Sequence, residues 1–466
     1  MFEANRTQSI IQLYVGEIPE EDMHADRTVV EDNIEVDGEQ NLNPNAEQPQ
    51  NDEAKSDASD ASQEGNRDGR RKVEYDSDFD FFLDGDDLND ACDPIDDEER
   101  DGGESKRESK GSSERVMCKA VCKIKRHCAT LLQRNPGSVA FIVTEQPQLC
   151  KSPIFKRIFV MFTAQKEGFV NACRPIIGLD ACHLKGIIGG QLMSAIGRDA
   201  NNQMFPIAMA LVESECKDSW GWFLDSFTDA IGTPIERGWV FLSDRQKGLI
   251  DCIENKYPRV EHRFCVKHMY ANFKLKFKDK HLRDLMWGAA RAYSPSHYES
   301  KMRELQLVAP EAHAWLSSIP ANLWARHTFS PRTKCDLLSN NICESFNQYI
   351  KDAREEPLLT MFEAIRRQIM CRFQEKRDWI QKMKSHICSR ICQKNEERKK
   401  QVAQFDALVS TREMYEVTGI VGTFAVNAVQ RSCTCNEWDM TGIPCVHACA
   451  GLVQDNKSPY VLVRFY

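Results

Sequence analysis

Apolar positions are sparse and aperiodic up to about Glu114 and regular beyond it. The early stretch is rich in Asp, Glu, Asn, Ser and Gly and cannot bury enough apolar surface to offset the entropy of ordering it, so residues 1–114 read as an acidic disordered tail. Its one aromatic island, Asp76-Ser-Asp-Phe-Asp-Phe-Phe-Leu-Asp-Gly-Asp-Asp, suits a solubilising tail or a docking peptide. The pattern over 116–132 predicts a helix that Asn135-Pro136-Gly137 stops, which makes 115–150 a helical lead-in. Short apolar runs rich in β-branched and aromatic residues then predict strands at 176–179, 193–197, 204–212 and 239–242, with turn signals such as Asp199-Ala-Asn-Asn between them. Trp222, Phe223, Ser226, Phe227 and Ala230 fall at helical spacing within 219–231, and 248–255 reads as another helix. Hairpin-like strands followed by strand, helix, strand and helix predict a mixed α/β sheet. From 272 to 338 the pattern is helical and charged, and it continues so through 342–354 and 357–400. The core domain therefore spans 151–400, with a helical insertion over about 272–340, and 401–466 forms a small C-terminal region.

Charge divides the chain where the hydrophobic pattern does. Residues 1–114 hold 35 acidic and 11 basic side chains, leaving 35 acidic and 50 basic in the remainder, so a net charge of −9 conceals a tail of −24 on a body of +15. A basic body suits a nucleic-acid partner, whose phosphates exchange counterions for Lys and Arg, or an ordinary solvated surface. The longest apolar run is 205–212, and the first residues lack a basic then apolar leader, so neither a membrane span nor a signal peptide is expected. Nineteen scattered cysteines in a chain of this length read as reduced thiols of the cytosol or nucleus, not as a disulfide frame.

The clearest chemical statement is Cys433-Thr-Cys435, nine residues, then Cys445-Val-His447. Three thiols and an imidazole are a standard tetrahedral zinc set, and C-x-C and C-x-H spacings are short enough to clip one ion. Gly442-Ile443-Pro444 turns the chain back just before Cys445. The pattern resembles a SWIM zinc finger. A second, weaker constellation is acidic: Asp180 and Asp244 close apolar strands and Glu344 opens a helix. A carboxylate beside a core needs a partner, and a hard divalent cation, Mg²⁺ or Mn²⁺, is one; turn formation or helix capping is the other reading of the same residues. Cys265 and His268 form a C-x-x-H element at the end of a strand over 260–264, with no obvious second pair of ligands, which favours a structural or DNA-positioning role over zinc. Trp220 and Trp222 read as packing residues, with stacking against a flipped base as the other reading. Arg372 to Lys400 carries ten basic and four acidic residues and suits either a phosphate-tracking face or a solvated one.

The stretches Gly178-Leu-Asp-Ala-Cys-His-Leu-Lys-Gly-Ile-Ile-Gly-Gly190, Trp220-Gly-Trp-Phe223, Leu242-Ser-Asp-Arg-Gln-Lys-Gly-Leu249, Phe264-Cys-Val-Lys-His268 and Asn340-Asn-Ile-Cys-Glu-Ser-Phe-Asn347 resemble, in order, the core of plant Mutator-like element (MULE, MuDR-type) transposases, over about 135–452. The resemblance implies an RNase H-like catalytic domain with a helical insertion before the last acid, and a DDE mechanism in which Asp180, Asp244 and Glu344 bind the catalytic metal. It implies DNA as partner, DNA transposition as activity, self-association, no small-molecule substrate, and a nuclear location. It equally admits a domesticated, catalytically silent regulator, like the far-red-response transcription factors that resemble the same transposases. Two departures bear on that choice: nothing between Asp76 and Val139 has the Cys/His layout of the family's end-binding domain, and the chain ends 19 residues after His447, as a truncated copy would.

Overall fold

The computed structural model describes residues 110–145, 153–185, 189–383, 385 and 387–462. The acidic segment expected to be disordered lies outside them up to residue 109, as do residues 186–188 of the stretch that follows Asp180. Seven strands form the main sheet: β1 (Val139–Glu145), β2 (Ile154–Met161), β3 (Cys173–His183), β4 (Gln191–Asp199), β5 (Met204–Val212), β6 (Val240–Ser243) and β7 (His262–Phe264). Their order is β1-β2-β5-β4-β3-β6-β7. Pairing is antiparallel from β1 across to β3, whereas β6 runs parallel to β3 and β7 parallel to β6.

The central strands read as continuous apolar runs because both faces of the sheet are covered. Along β4, Leu192 and Ile196 enter one core while Met193 and Ala195 enter the other. The first core is closed by α1 (Lys110–Arg134), α10 (Asn341–Tyr349) and α11 (Leu358–Lys382). In α1 the inward residues Val121, Ile124, Cys128 and Leu131 recur at helical spacing, and Asn135 and Gly137, at φ 81, end it. The second core is closed by α2 (Thr163–Ala172), α3 (Lys217–Ile231) and α5 (Lys247–Lys256), with the short α4 (Pro234–Arg237) between the last two. The helical insertion carries its own core, built by α6 (Val266–Lys276), α7 (Lys280–Arg291), α8 (Pro295–Val308) and α9 (Pro310–Ser317) around Phe273, Met286, Leu305 and Trp324.

A second, four-stranded antiparallel sheet follows α12 (Ser389–Gln401): β8 (Asp406–Val409), β9 (Met414–Gly419), β10 (Gly422–Asn427) and β11 (Ser432–Cys433), in the order β11-β10-β9-β8. With α13 (Glu437–Thr441) and α14 (Val446–Gln454) it encloses a small core of Tyr415, Val417, Val426 and Trp438. This region is seated on the body. Met440 enters the insertion's core, Asn436 Nδ2 donates to Tyr293 O at 3.2 Å, Lys334 Nζ donates to Asp439 O at 2.6 Å, and Arg398 of α12 donates to Pro444 O at 2.6 Å and pairs with Glu437.

The structure departs from the sequence reading at several elements. β3 extends the apolar run 176–179 in both directions, because pairing with β4 from Cys173 with Asp199 to His183 with Gln191 carries its polar ends. β1 lies within the stretch expected to be a helical lead-in; its apolar run Val139-Ala-Phe-Ile-Val143 pairs antiparallel with β2 at the edge of the sheet. The helical pattern of 357–400 breaks after Lys382 and resumes at Ser389.

Candidate functional site

β3 and β6 run parallel with Leu179 beside Ser243, so the residues that follow come side by side: Asp244 directly follows β6 as expected, whereas Asp180 does not close its strand but lies within β3, paired with Ser194 of β4, and the strand runs on to His183. Asp244 is held where the chain turns into α5: its Oδ1 accepts from Gln246 N at 3.2 Å, and Gln246 caps the helix by accepting from Leu249 N at 2.7 Å. Beneath it, Ser243 Oγ donates its one proton to Asp244 O at 2.7 Å, so His262 Nε2, 2.8 Å away, is the donor to that hydroxyl. Burial pulls His262 down to about 4, which keeps the ring neutral for this role. Glu344 reaches the same end of the sheet on the first turn of α10. That helix lies directly on β3, since a Cβ at Gly178 would meet Asn340 Oδ1 at 2.5 Å and Cys343 Sγ at 2.8 Å.

The electrostatics are those of an anionic site. Burial pushes the Asp180 carboxyl up to about 7, and the neighbouring Asp244 charge pushes in the same direction, while His268 and a hydrogen bond from Asn347 oppose it. Asn347 Nδ2 donates to Asp180 Oδ2 at 2.8 Å. Glu344 Oε2 accepts from Lys267 Nζ at 2.6 Å. Two residues of this neighbourhood escaped the sequence reading. Asn347 had a signal, since it follows Glu344 by three and so shares its helix face. Glu215 had none; it lies between β5 and α3, accepts from Trp220 Nε1 at 3.0 Å, and has its carboxyl raised by burial and, to a lesser degree, by Asp244.

The C-x-x-H element divides its labour. Cys265 Sγ accepts from Asn340 N at 3.2 Å, tying the start of α6 to the approach to α10, whereas His268 acts on Asp180. Trp220 is wholly buried, and Trp222 packs edge-on against Phe141 and Phe159 beneath the Arg157 guanidinium. The basic stretch does not form one face. Arg372 donates to Met204 O at 3.2 Å and Arg398 is buried against Glu437, leaving Arg377, Lys382 and Lys400 among its exposed bases.

The C-terminal centre is the one group of three or more His, Cys, Asp or Glu side chains among the described residues gathered closely enough to hold an ion: Cys433, Cys435, Cys445 and His447, with ligand atoms all within 4.8 Å of one another. His447 Nδ1 faces Cys433 Sγ at 3.8 Å and Cys445 Sγ at 3.9 Å, and its ring is fixed by stacking on Phe424, with centroids 3.8 Å apart, and by the edge of Phe405. Asn436, at φ 63, and Gly442, at φ 73, bend the chain at either end of α13 so that both pairs meet. Contacts with Cys433 and Cys445 pull the Cys435 thiol down, while burial and contacts with Cys433 and Cys435 raise Cys445. Three thiols this close ionise together only around a cation, and the donor set fits a structural zinc ion. Asp180, Asp244 and Glu344 do not close into such a group.

Residues 176–272 match the MULE transposase domain and residues 415–450 match the SWIM zinc finger. The first match contains Asp180, Asp244, Cys265 and His268 and stops short of Glu344; the second contains all four zinc ligands. Among curated proteins, none matches the chain.

Proposed function

From a chain that carries a MULE transposase domain and a C-terminal SWIM zinc finger, we propose a DDE transposase that cleaves a phosphodiester at the end of a DNA element and transfers the freed strand. The observation that carries this reading is the meeting of Asp180, within β3, and Asp244, just after the parallel β6, with α10 laid across β3 to bring in Glu344. The β5-β4-β3-β6-β7 portion, a three-stranded meander followed by two parallel strands on the side of its first strand, supports an RNase H-like domain, with α6 to α9 inserted before the last acid. Asp180, Asp244 and Glu344 would hold Mg²⁺ or Mn²⁺, which supplies activation of the attacking oxygen and stabilisation of the leaving one. Two neighbouring carboxylates, one of them pushed up to about 7, suit a divalent cation.

The first step attaches a water oxygen to phosphorus and breaks the bond to the 3′ oxygen, which takes up a proton in exchange for the one the water loses and leaves as a hydroxyl; that hydroxyl oxygen then attacks a phosphorus of target DNA, giving up its proton, and displaces the target strand's 3′ oxygen, which leaves as a hydroxyl. The chain's residues anchor the acids: Asn347 fixes Asp180, Gln246 and the Ser243–His262 pair fix Asp244, and Cys265 fixes the approach to α10. A DNA substrate supports a nuclear location and self-association of two element ends. The second reading, a silent DNA-binding regulator, draws support from Glu344, whose carboxylate is engaged by Lys267. Mn²⁺-dependent nicking of element-end DNA by the full chain, beside Asp244→Asn with zinc content measured in both, separates the two. Cutting lost in the variant supports the transposase, and a wild type that holds DNA and zinc without cutting supports the regulator.

A further inference from the structure

The acids of the triad come from distant parts of the chain, and one contact joins the first to the element that carries the last. Asn347 Nδ2 donates to Asp180 Oδ2 at 2.8 Å across 167 residues of sequence. The amide can present only its NH₂ to a carboxylate, which fixes its orientation and turns its carbonyl oxygen away from that bond. That Oδ1 is shut off from solvent and has no hydrogen-bond partner among the described residues, an uncommon state for a buried acceptor. Asn347 and Glu344 stand three residues apart on α10, and Gly178 lets that helix lie against β3 closely enough for the short Asn side chain to reach.

We propose that Asn347 is a positioning residue for the divalent-cation site, holding one oxygen of Asp180 in a fixed plane and registering α10, with Glu344, against β3. The inference rests on the reading that Asp180 and Asp244 hold a hard divalent cation. A carboxylate crowded by a second carboxylate otherwise turns away from it, and ligand-orienting hydrogen bonds of this kind change metal affinity by about 10-fold to 100-fold when removed. A latch that merely fastened α10 to the sheet would change stability and leave cation affinity alone.

The test measures Mn²⁺ binding to the zinc-loaded full chain by the loss of the free-ion electron paramagnetic resonance signal, together with melting temperature. It compares wild type, Asp180→Asn, Asn347→Ala and Asn347→Ser, whose hydroxyl is too short to span the contact. Both Asn347 variants are expected to bind Mn²⁺ about tenfold more weakly, to need correspondingly more Mn²⁺ for half-maximal nicking, and to recover most of their rate at saturating Mn²⁺. Serine keeps the experiment decisive if the alanine variant does not fold. Unchanged Mn²⁺ affinity in a folded Asn347 variant, with Asp180→Asn still abolishing binding, overturns the proposal alone. Equal binding by wild type and Asp180→Asn overturns the cation-site reading and the proposal with it.

Discussion

Asp180 bears two opposed demands. Its backbone belongs to a buried strand, and its side chain must present charge beside Asp244. Its carboxyl is raised from 3.8 to about 7, so the folded protein holds this proton more tightly than the unfolded chain does over that interval. By linkage, the stability this group contributes is complete below the lower value and is lost as pH rises through the upper one. Asp180→Asn carries no such dependence. In cation-free protein, the melting temperature of that variant is therefore expected to gain on the wild type between about pH 4 and about pH 7, although the same substitution is expected to remove Mn²⁺ binding. A gap between the two that stays constant with pH would show that Asp180 is not strained by its surroundings.

At the scale of elements, the close approach of α10 to β3 places Glu344. Gly178→Ala sets a methyl group within 2.5 Å of Asn340 Oδ1 and 2.8 Å of Cys343 Sγ, atoms of the helix start that are themselves packed. Displacement of α10 is expected to cost about 2 kcal/mol in urea unfolding and to weaken Mn²⁺ binding, whereas Gly221→Ala, whose Cβ would make only ordinary contacts with Lys256 Cε at 3.7 Å and Cys252 Sγ at 3.8 Å, should change neither by a comparable amount. The legibility of these elements followed their burial. β4, β5 and β6, covered on both faces, announced themselves as apolar runs, and β5 was legible to its ends. β2 was not, because the charged Lys156 and Arg157 interrupt its pattern, and β1 was not, because an apolar run of five residues does not by itself tell a strand from a buried helical segment. The zinc ligands were readable from spacing alone, since all four lie within fifteen residues and depend only on local turns. Asn347 was readable as a helix neighbour of Glu344, but its contact with Asp180 and the approach of Glu215 to Asp244 were not, because only the tertiary register of the strands and the seating of α10 bring them about.

Across the whole molecule, the finger and the main sheet are joined through the segment that leads into α10. Lys334, which donates to Asp439 O, itself accepts from Arg174 of β3, and Arg263 of β7 donates to Cys335 O at 2.7 Å. Four residues further on, Leu338 O accepts from Val266 N at 2.7 Å. Removing zinc with a strong chelator, or making Cys445→Ser, is therefore expected to raise amide hydrogen exchange in the finger and also over 326–344 and around Tyr293. Exchange that rises only within 415–450 would show the finger to be mechanically separate.

The seating of Met440 in the insertion's core gives that short helix a consequence for inheritance and engineering. A finger that donates a core side chain to its host is not a portable cassette. A substitute carrying all four ligands but a polar residue in place of Met440 would still close around its metal, yet would leave a hole beneath the neighbouring helices. Recombination between related elements is thus constrained at the join, where the two parts must change together.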